Sequence, residues 1–505
     1  MNILVLVSDA MRARNLGCYG YDKNTSPCID EIARRGILFK NAFSTINTTG
    51  PSFTTIFTGK YPSTHGIRRH GPQLSEAEKS YTPRLRFLPE ILKDNGYVTM
   101  GLDWLGFWHK RGYDYYAGRP NNPTNHKSAD SQNPRGPLIR FMAGQLLYLI
   151  QMGGRCNWYY SLPEPLRDIV RSYAIRLNSI SQADFSRKKM PLVSDSAGLS
   201  DLVIRYIKEY AGRKKFFIFV HYWDTHIPYT GPHSVAKRYY RDYKYSTRSV
   251  ASVFKELGGA KAEKLVRKSV RGRLPKTVGG IKAQYDASIT YTDRNIGRIY
   301  QALDNLGILE DTLIIITADH GESLDEHGIY FSHHGLYDTD VHIPLIMQHP
   351  RLGSGAVYEQ LVQHVDVVPT ILELAGIDYK NEDFDGQSLL KIVDGGKWDR
   401  QFVYAEELAC MQRRMIRDNK YKYIRAMDDE KCRYCERYHV RGDEFFDLQA
   451  DPCELRNIIN DPRSEFYKKM LNEYIASIKP VQPGEKVQFD DEELVNQRLK
   501  SLGYF

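Results

Sequence analysis

Residues 47–66 read NTTGPSFTTIFTGKYPSTHG, and the rest of the chain is interpreted around this stretch. Thr48 to Pro51 interrupt any preceding strand, and Pro51 suits the first helical position, where its missing N–H needs no partner. We expect a helix over 52–58 that ends at Gly59, because glycine readily adopts the left-handed conformation that closes a helix. The stretch therefore predicts a loop, a helix and a turn.

The hydroxyl of Thr49 lies just before this predicted helix. Free backbone N–H groups and the positive end of the helix dipole favour an anion there and would stabilise a developing alkoxide. Thr49 is therefore a candidate nucleophile, and Lys60 is a candidate cation for the anion that it attacks. The alternative is that Thr49 is only an N-cap residue and Lys60 a solvated residue at the end of the helix.

The composition indicates a globular protein with a reduced cysteine set. The 505 residues, 42% of them hydrophobic and 26% charged, are enough for one large α/β domain and a smaller one. Seven scattered cysteines form no disulfide framework, which predicts a reducing compartment. The N-terminal MNILVLVSDAM has no basic start, so we interpret it as a buried strand rather than a signal peptide, and we expect a cytoplasmic protein.

Positive charge is concentrated in one segment. The net charge is +9, and residues 236–276 carry 13 Lys or Arg against 3 Asp or Glu. Such a run is commonly a solvated helical face, but it also suits an anionic substrate or an anionic membrane surface. No nucleic-acid recognition motif accompanies it. We expect an anionic phosphate or sulfate ester as partner, with a glycan or a lipid as candidate carriers of the ester. Peripheral membrane contact stays open, as does the oligomeric state.

No segment reaches the roughly 18 apolar residues that a membrane span needs. The nearest is 137–152, PLIRFMAGQLLYLIQM, which contains Arg140. We interpret it as a core or lid helix, with an interfacial membrane helix as the alternative.

Apolar runs alternate with helical patterns along most of the chain. Buried strands are predicted over 2–7, 37–42, 97–102, 215–220 and 313–317, and helices over 28–35, 88–95, 284–306 and 367–375. Later strands at 402–406, 413–417 and 420–425 look antiparallel, and a helix over 463–478 follows them. This order predicts an α/β fold, a large mostly parallel sheet flanked by helices, with a smaller C-terminal α+β subdomain. We place the catalytic domain at 1–397, with an insertion or lid at about 112–200, and the subdomain at 398–505.

Acidic residues and a histidine follow two of the strongest predicted strands. Asp9 comes after the first strand, and Asp319 and His320 come after the strand over 313–317. The carboxyl edge of a parallel sheet is where α/β proteins place their sites. Two carboxylates and an imidazole suit one divalent ion such as Mn²⁺, Ca²⁺, Mg²⁺ or Zn²⁺. Thr49 would complete the set of ligands, and a bound ion would lower the pKa of its hydroxyl.

Several segments together resemble those of a known family. They are VLVSDAMRARNLGCYGY, TGPSFTTIFTGKYPSTHG, HYWDTHIPY, TLIIITADHGESLDEHG and SHHGLYDTDVHIPLIM. Their order is similar to that in sulfatase-like members of the alkaline phosphatase superfamily, and the resemblance covers most of the chain outside roughly 120–200. It implies the alkaline-phosphatase/sulfatase-like fold.

The same resemblance implies roles for single residues. It makes Asp9, Thr49, Asp319 and His320 metal ligands, Thr49 also the nucleophile and Lys60 its basic partner. It further implies that His226 protonates the leaving group and that His333 or His334 contacts the transferred group. We interpret His221, His327 and His342 as structural.

The chain also departs from the family pattern. Sulfatases carry a Cys or Ser that is modified to formylglycine, whereas the β-carbon of Thr49 already bears a methyl group. Phe53 replaces an arginine, Ala10 replaces a second aspartate, and a Lys-x-His pair expected near Asp103 is absent. The remaining set resembles the threonine-nucleophile branches of the superfamily, such as nucleotide pyrophosphatases and phosphoglycerol transferases. An Asp-x-x-x-His pair for a second metal is missing ahead of Asp319, so we expect one ion.

These features lead to one functional expectation and two alternatives. We expect a metal-dependent hydrolase that cleaves phosphoric esters of the diester type, or sulfuric esters, through a threonine nucleophile and a covalent intermediate. The first alternative is a phosphoglycerol- or phosphoethanolamine-type transferase acting on a lipid or polysaccharide. The second is a non-catalytic relative that binds glycans or other anions through the basic segment 236–276.

Overall fold

The computed structural model describes most of the chain outside one long segment. The described residues are 1–117 without 71, 72 and 104; 195–485 without 242, 244–247, 271–273, 409, 410, 429, 430, 433–435 and 437–440; and 489, 492, 493 and 496. Most of the predicted insertion at 112–200, including the apolar stretch 137–152, lies outside the described residues.

The main sheet has eight strands in the order β4-β3-β5-β1-β6-β7-β2-β8. Its strands are β1 Asn2–Ser8, β2 Ile37–Phe43, β3 Val98–Leu102, β4 Tyr115–Ala117, β5 Phe216–Tyr222, β6 Thr312–Thr317, β7 Leu345–Gln348 and β8 Ala356–Gln363. Only β7 runs antiparallel to its neighbours β6 and β2, so the prediction of a mostly parallel sheet is confirmed. Every residue of β1, β5 and β6 is buried, as expected for central parallel strands.

Helices alternate with the strands along the chain. They are α1 Pro27–Arg35, α2 Thr49–Thr58, α3 Pro62–His65, α4 Glu76–Tyr81, α5 Leu88–Asp94, α6 Ser196–Tyr210, α7 His233–Tyr240, α8 Val250–Leu257, α9 Ala260–Lys268, α10 Val278–Asn305, α11 Asp338–Val341, α12 Val367–Ala375, α13 Leu390–Val393 and α14 Arg463–Ser477. In the part of the chain that the structure describes, no helix is long and apolar enough to cross a membrane.

Two helices begin earlier than the sequence pattern predicts. Helix α2 begins at Thr49 instead of Ser52, after an extended Thr48 whose side chain makes no capping bond. Thr49 therefore occupies the first helical position and is not the N-cap residue. Helix α10 begins at 278 because the side chain of Thr277 caps it by accepting from the N–H of Gly280. Residues 277–280, TVGG, are typical of a turn, so the sequence pattern did not predict a helix start here.

A second, smaller sheet lies toward the C-terminus. Its strands are β9 Val403–Glu407, β10 Arg413–Arg417, β11 Tyr421–Ala426 and β12 Glu444–Asp447, all antiparallel in the order β12-β11-β10-β9. Helix α14 packs on this sheet through Tyr467 and Leu471. The small α+β unit is confirmed, although β12 was not predicted, and the domain bounds 1–397 and 398–505 stay predictions.

Candidate active site

Four neighbouring strands bring polar residues to one edge of the main sheet. Asp103 follows β3, His221 lies near the end of β5, Asp9 follows β1, and Asp319 and His320 follow β6. These strands are adjacent in the order β3-β5-β1-β6 and all parallel, so their carboxyl ends meet at the same edge. The residues consequently stand in sheet order along that edge.

Asp9, Asp319 and His320 form a buried cluster with the donor set of a metal site. One ligand atom from each lies within 4.8 Å of the others. The Nδ1 of His320 donates to the Gly321 carbonyl at 2.8 Å, which leaves Nε2 facing the carboxylates. That Nε2 is 3.3 Å from Asp319 Oδ2 and 3.8 Å from Asp9 Oδ1. Among the described residues neither of these buried oxygens has a hydrogen-bond partner, so the three residues fit a divalent cation.

The electrostatics of the cluster also favour a cation. Burial, and next the negative charge of Asp319, raise the pKa of Asp9 to about 7. Two carboxylates so close together in a buried site destabilise each other when both are ionised. A bound divalent cation would remove this repulsion.

Thr49 lies beside the cluster at the N-terminal turn of α2. Its Oγ1 is 3.3 Å from His320 Nε2, and the residue is buried. Ser52, one turn later, donates from its Oγ to the Asp319 carbonyl at 2.8 Å and so fastens the helix to the end of β6. The structure thus brings the candidate nucleophile to the candidate metal ligands, with the first N–H groups of the helix on the same side.

A glycine after Thr49 allows a further histidine to approach. A Cβ on Gly50 would lie 3.2 Å from both Cβ and Nδ1 of His70, tighter than ordinary contacts. Burial, and then the neighbouring histidines His333 and His109, lower the pKa of His70 to about 3. His70 was not predicted from the sequence, and Gly50 after Thr49 was the available signal for a close neighbour.

The predicted histidines His226, His333 and His334 are close together next to the cluster. The His333 ring centroid is 4.2 Å from that of His320, 5.5 Å from that of His226 and 5.4 Å from that of His334. Burial lowers the pKa of His333 to about 4 and that of His226 well below its usual value. His226 and His333 are therefore neutral imidazoles near pH 7.

A buried carboxyl group orients His333. Its Nδ1 is 3.0 Å from Glu322 Oε2, and the other oxygen of Glu322 accepts from the Tyr229 hydroxyl at 2.8 Å. Burial raises the pKa of Glu322 to about 8. Glu322 and Tyr229 were not predicted from the sequence, because the contact between them joins segments that are distant along the chain.

Lys60 is not brought to this site. Its Nζ contacts the carbonyl of Asp383 and lies 3.1 Å from the Asp383 carboxylate. Thr49 begins α2 and Lys60 follows its C-cap, so a helix of about 15 Å separates them. The expectation that Lys60 is the basic partner of Thr49 is corrected by this geometry.

His221, interpreted above as structural, contacts the cluster directly. Its Nε2 is 3.0 Å from Asp9 Oδ2 and its Nδ1 is 2.9 Å from Asp103 Oδ1. Burial opposes protonation, but the bonds to Asp103 and Asp9 outweigh it and raise the pKa of His221 to about 9. Phe53, which stands where the family has arginine, packs edge-on against His221 with ring centroids 4.6 Å apart.

The other two histidines lie in structural positions. The ring of His327 stacks on Tyr337 with centroids 3.7 Å apart, and His342 Nε2 donates to the Lys40 carbonyl at 2.7 Å. Neither contact involves the cluster.

Comparisons with known proteins agree with this fold. The family model described as Sulfatase matches residues 1–377, and the model for the C-terminal region of N-sulphoglucosamine sulphohydrolase matches residues 325–480. An N-acetylglucosamine-6-O-sulfatase of Bacteroides thetaiotaomicron is 23% identical, over 96% of this chain and 88% of that protein. The multifunctional alkaline phosphatase superfamily protein PehA of Trinickia caryophylli is 25% identical, over 94% and 93%. The crystal structure of a phosphonate monoester hydrolase of Agrobacterium radiobacter superposes with a TM-score of 0.64 at 20% identity, covering 94% of this chain and 95% of that one.

The fold and the cluster at the strand ends define a member of the alkaline phosphatase superfamily. Within that superfamily, the chain belongs to the sulfatase family, whose model matches well over half of its length. The resemblance seen in the sequence is confirmed at this level.

Proposed function

We propose that this protein is a metal-dependent hydrolase of sulfuric esters or of phosphoric esters of the diester type, with Thr49 as its nucleophile. The observation that carries the proposal is the position of Thr49 Oγ1, 3.3 Å from His320 Nε2 at the N-terminal turn of α2. Asp9 Oδ1 and Asp319 Oδ2, which have no hydrogen-bond partner in the part of the chain that the structure describes, lie in the same buried cluster. The sulfatase family model and the sulfatase relatives support cleavage of an ester of this kind.

Asp9, Asp319, His320 and Thr49 would hold one divalent ion, either Mn²⁺, Ca²⁺, Mg²⁺ or Zn²⁺. When bound, such an ion supplies positive charge that lowers the pKa of the Thr49 hydroxyl and offsets charge on the transferred group. The remaining chemistry belongs to the side chains of the protein.

In the first half of the reaction, Thr49 Oγ1 forms a bond to phosphorus or sulfur while the bond to the leaving oxygen breaks. His226 Nδ1 lies 2.6 Å from the Ile227 carbonyl, which can only accept, so Nδ1 carries the proton and Nε2 is the acceptor. The proton released by Thr49 passes to His226 Nε2 and from there to the leaving oxygen. His333 and His334 contact the transferred group.

In the second half, water forms a bond to phosphorus or sulfur and gives a proton to His226 Nε2. The bond to Thr49 breaks, and its oxygen takes that proton back. The cycle returns the threonine and the imidazole to their starting forms.

The charge of the site favours a transferred group with a single negative charge. Phe53 stands where the family has an arginine, the family's Lys-x-His pair is absent near Asp103, and His226 and His333 are neutral. Sulfate esters and phosphodiesters carry one negative charge, whereas phosphomonoesters carry two near neutral pH. We therefore expect the second charge of a phosphomonoester to be poorly neutralised.

The basic segment 236–276 supports an extended anionic substrate such as a sulfated glycan. Lys237, Arg238 and Lys255 are exposed on α7 and α8. The segment adjoins the loop before His333, since Tyr330 accepts a hydrogen bond from Arg248. The name of one relative, the N-acetylglucosamine-6-O-sulfatase of Bacteroides thetaiotaomicron, fits this substrate class. The cytoplasmic location and peripheral membrane contact stay predictions.

The test compares the unchanged protein with Thr49→Ala on bis-p-nitrophenyl phosphate, p-nitrophenyl sulfate and p-nitrophenyl phosphate. Thr58→Ala is the matched control, because Thr58 lies on the same helix and its hydroxyl donates to the Thr54 carbonyl at 2.6 Å. We expect kcat to fall about 10³-fold or more in Thr49→Ala, with metal still bound, and to change little in Thr58→Ala. Unchanged turnover in Thr49→Ala, or turnover that survives complete metal removal, would contradict the proposal.

A further inference from the structure

Asp103, His221 and Asp9 form a hydrogen-bonded row along the edge of the main sheet. His221 bonds to Asp103 Oδ1 at 2.9 Å and to Asp9 Oδ2 at 3.0 Å. At most 1% of any of these side chains is exposed. Each ring nitrogen of His221 is thus engaged by a carboxylate oxygen. The imidazole therefore has no nitrogen left for a substrate.

The sheet places the three residues side by side. Strand β5 lies between β3 and β1, with Leu102 paired to Val220 and Val7 paired to His221. Asp103 comes directly after Leu102, and His221 comes directly after Val220, the strand partner of Leu102. Asp9 comes two positions after the partner of His221. The row is thus a consequence of strand order and register.

The row determines which oxygen of Asp9 is available to a cation. Oδ2 is occupied by His221, whereas Oδ1 is buried without a partner within the described residues. Asp103 is itself held by Tyr116, whose hydroxyl donates to Oδ2 at 2.9 Å. On another side, the Phe53 ring packs edge-on against the imidazole and opposes its rotation.

We propose that Asp103 and His221 are positioning residues that hold Asp9 so that Oδ1 alone faces the divalent cation. The inference rests on the metal site of the proposed function. It assigns His221 no part in proton transfer to substrate, and it gives a role to Asp103, near which the family's Lys-x-His pair is absent. Hydrogen-bonded partners of metal ligands commonly set metal affinity in this way.

The test is calorimetric titration of the metal-free protein with Mn²⁺. Asp103→Asn is compared with the control Asp114→Asn, an aspartate that directly precedes β4 and bonds Thr99 of β3 and Lys93 instead of the row. We expect Asp103→Asn to weaken Mn²⁺ binding by about 10- to 100-fold and Asp114→Asn to leave it unchanged. At saturating Mn²⁺, kcat of Asp103→Asn should recover substantially, because the variant changes metal affinity and not the contacts to substrate.

A milder variant covers the case in which Asp103→Asn does not fold. Tyr116→Phe removes one of the hydrogen bonds that hold the Asp103 carboxylate and should weaken Mn²⁺ binding by about fivefold. His221→Phe supplies a second check, since Asp103 acts through His221. In a His221→Phe background, adding Asp103→Asn should have little further effect on Mn²⁺ affinity.

The outcomes separate this inference from the proposed function. Wild-type affinity in both Asp103→Asn and Tyr116→Phe would overturn the positioning role while leaving the hydrolase proposal intact. The positioning role would also be overturned if Asp103→Asn caused an equal loss of Mn²⁺ affinity in the wild-type and His221→Phe backgrounds. A wild-type protein that takes up no divalent cation would overturn the proposed function and, with it, this inference.

Discussion

At the scale of single residues, the site is defined by a few buried side chains whose surroundings set their protonation. Burial, and next the charge of Asp319, raise the pKa of Asp9, whereas burial keeps His226 and His333 neutral. The site therefore combines a negatively charged metal cluster with neutral imidazoles beside it. This distribution suits a metal-bound nucleophile and a transferred group with one charge.

The buried His65 should make the stability of the protein depend on pH. Its Nδ1 accepts from the Ile67 N–H at 3.1 Å, so only the neutral ring fits, and burial lowers its pKa from 6.5 to about 3. The unfolded chain takes up a proton below pH 6.5 that the folded chain refuses until about pH 3, so stability is lost as the pH falls through this window.

We expect the titration of His65 alone to lower the free energy of unfolding of the wild type by about 2 kcal/mol when the pH falls from 7 to 5. Urea unfolding at both pH values should show a correspondingly weaker pH dependence in His65→Gln. His233→Gln, at an exposed position, should follow the wild type. Identical pH dependence in His65→Gln and the wild type would show that His65 is not held neutral.

Some site residues were predictable from sequence and others were not. Asp9, Asp319 and His320 directly follow strongly apolar runs, which marks them as residues at the carboxyl edge of a sheet without knowledge of strand order. Asp103 and His221 also end strands, but their pairing depends on β5 lying between β3 and β1. That order is a long-range property that no local pattern contains.

At the scale of elements, the loop that carries His333 and His334 is anchored to the small sheet. Helix α11 follows this loop and begins at Asp338. Lys422 of β11 is fully buried, with its Nζ 2.5 Å from Asp338 Oδ1 and 2.5 Å from Glu454 Oε1. The buried ion pairs therefore tie the two sheets together close to the site.

Replacing this buried lysine should destabilise the protein markedly. Lys422→Met leaves Glu454 and Asp338 with less compensating charge, and breaking such a pair typically costs about 3 kcal/mol or more. Urea denaturation should show this loss, whereas Lys420→Met, at an exposed position beside the same strand, should change stability by less than about 0.5 kcal/mol. An equally small change in both variants would show that the buried pairs contribute little.

The elements themselves show where sequence patterns succeed. The apolar runs of β1, β5 and β6 are long and uninterrupted, so their assignment as buried parallel strands is confirmed. The start of α2 was placed three residues late because Thr, Gly and Pro are typical of turns, yet here they form a buried first turn. Tertiary contacts such as Ser52 with the Asp319 carbonyl outweigh the weak local preference.

At the scale of the whole molecule, metal binding should be coupled to folding. The cluster links the ends of β1 and β6 to the start of α2, three parts of the chain that are distant in sequence. A ligand that binds only the folded state stabilises it by mass action, by about 2.7 kcal/mol at one hundred times its dissociation constant.

Removal of metal should consequently lower the melting temperature of the wild type, and adding Mn²⁺ should restore it. In Asp9→Asn, the repulsion with Asp319 is gone and one ligand charge is lost. We expect the metal-free variant to be at least as stable as the metal-free wild type but to respond little to Mn²⁺. Differential scanning calorimetry with and without chelator measures both effects, and an equal response to Mn²⁺ in the two proteins would exclude Asp9 as a ligand.

The central claim is that Thr49 becomes covalently bonded to the transferred group. The most direct measurement is rapid acid quenching during turnover of a phosphodiester or sulfate ester, followed by peptide mass spectrometry. The account predicts one phosphoryl or sulfuryl group on the hydroxyl of Thr49, absent from Thr49→Ala and from metal-free protein. Rapid turnover with the group found on another residue, and never on Thr49, would contradict it.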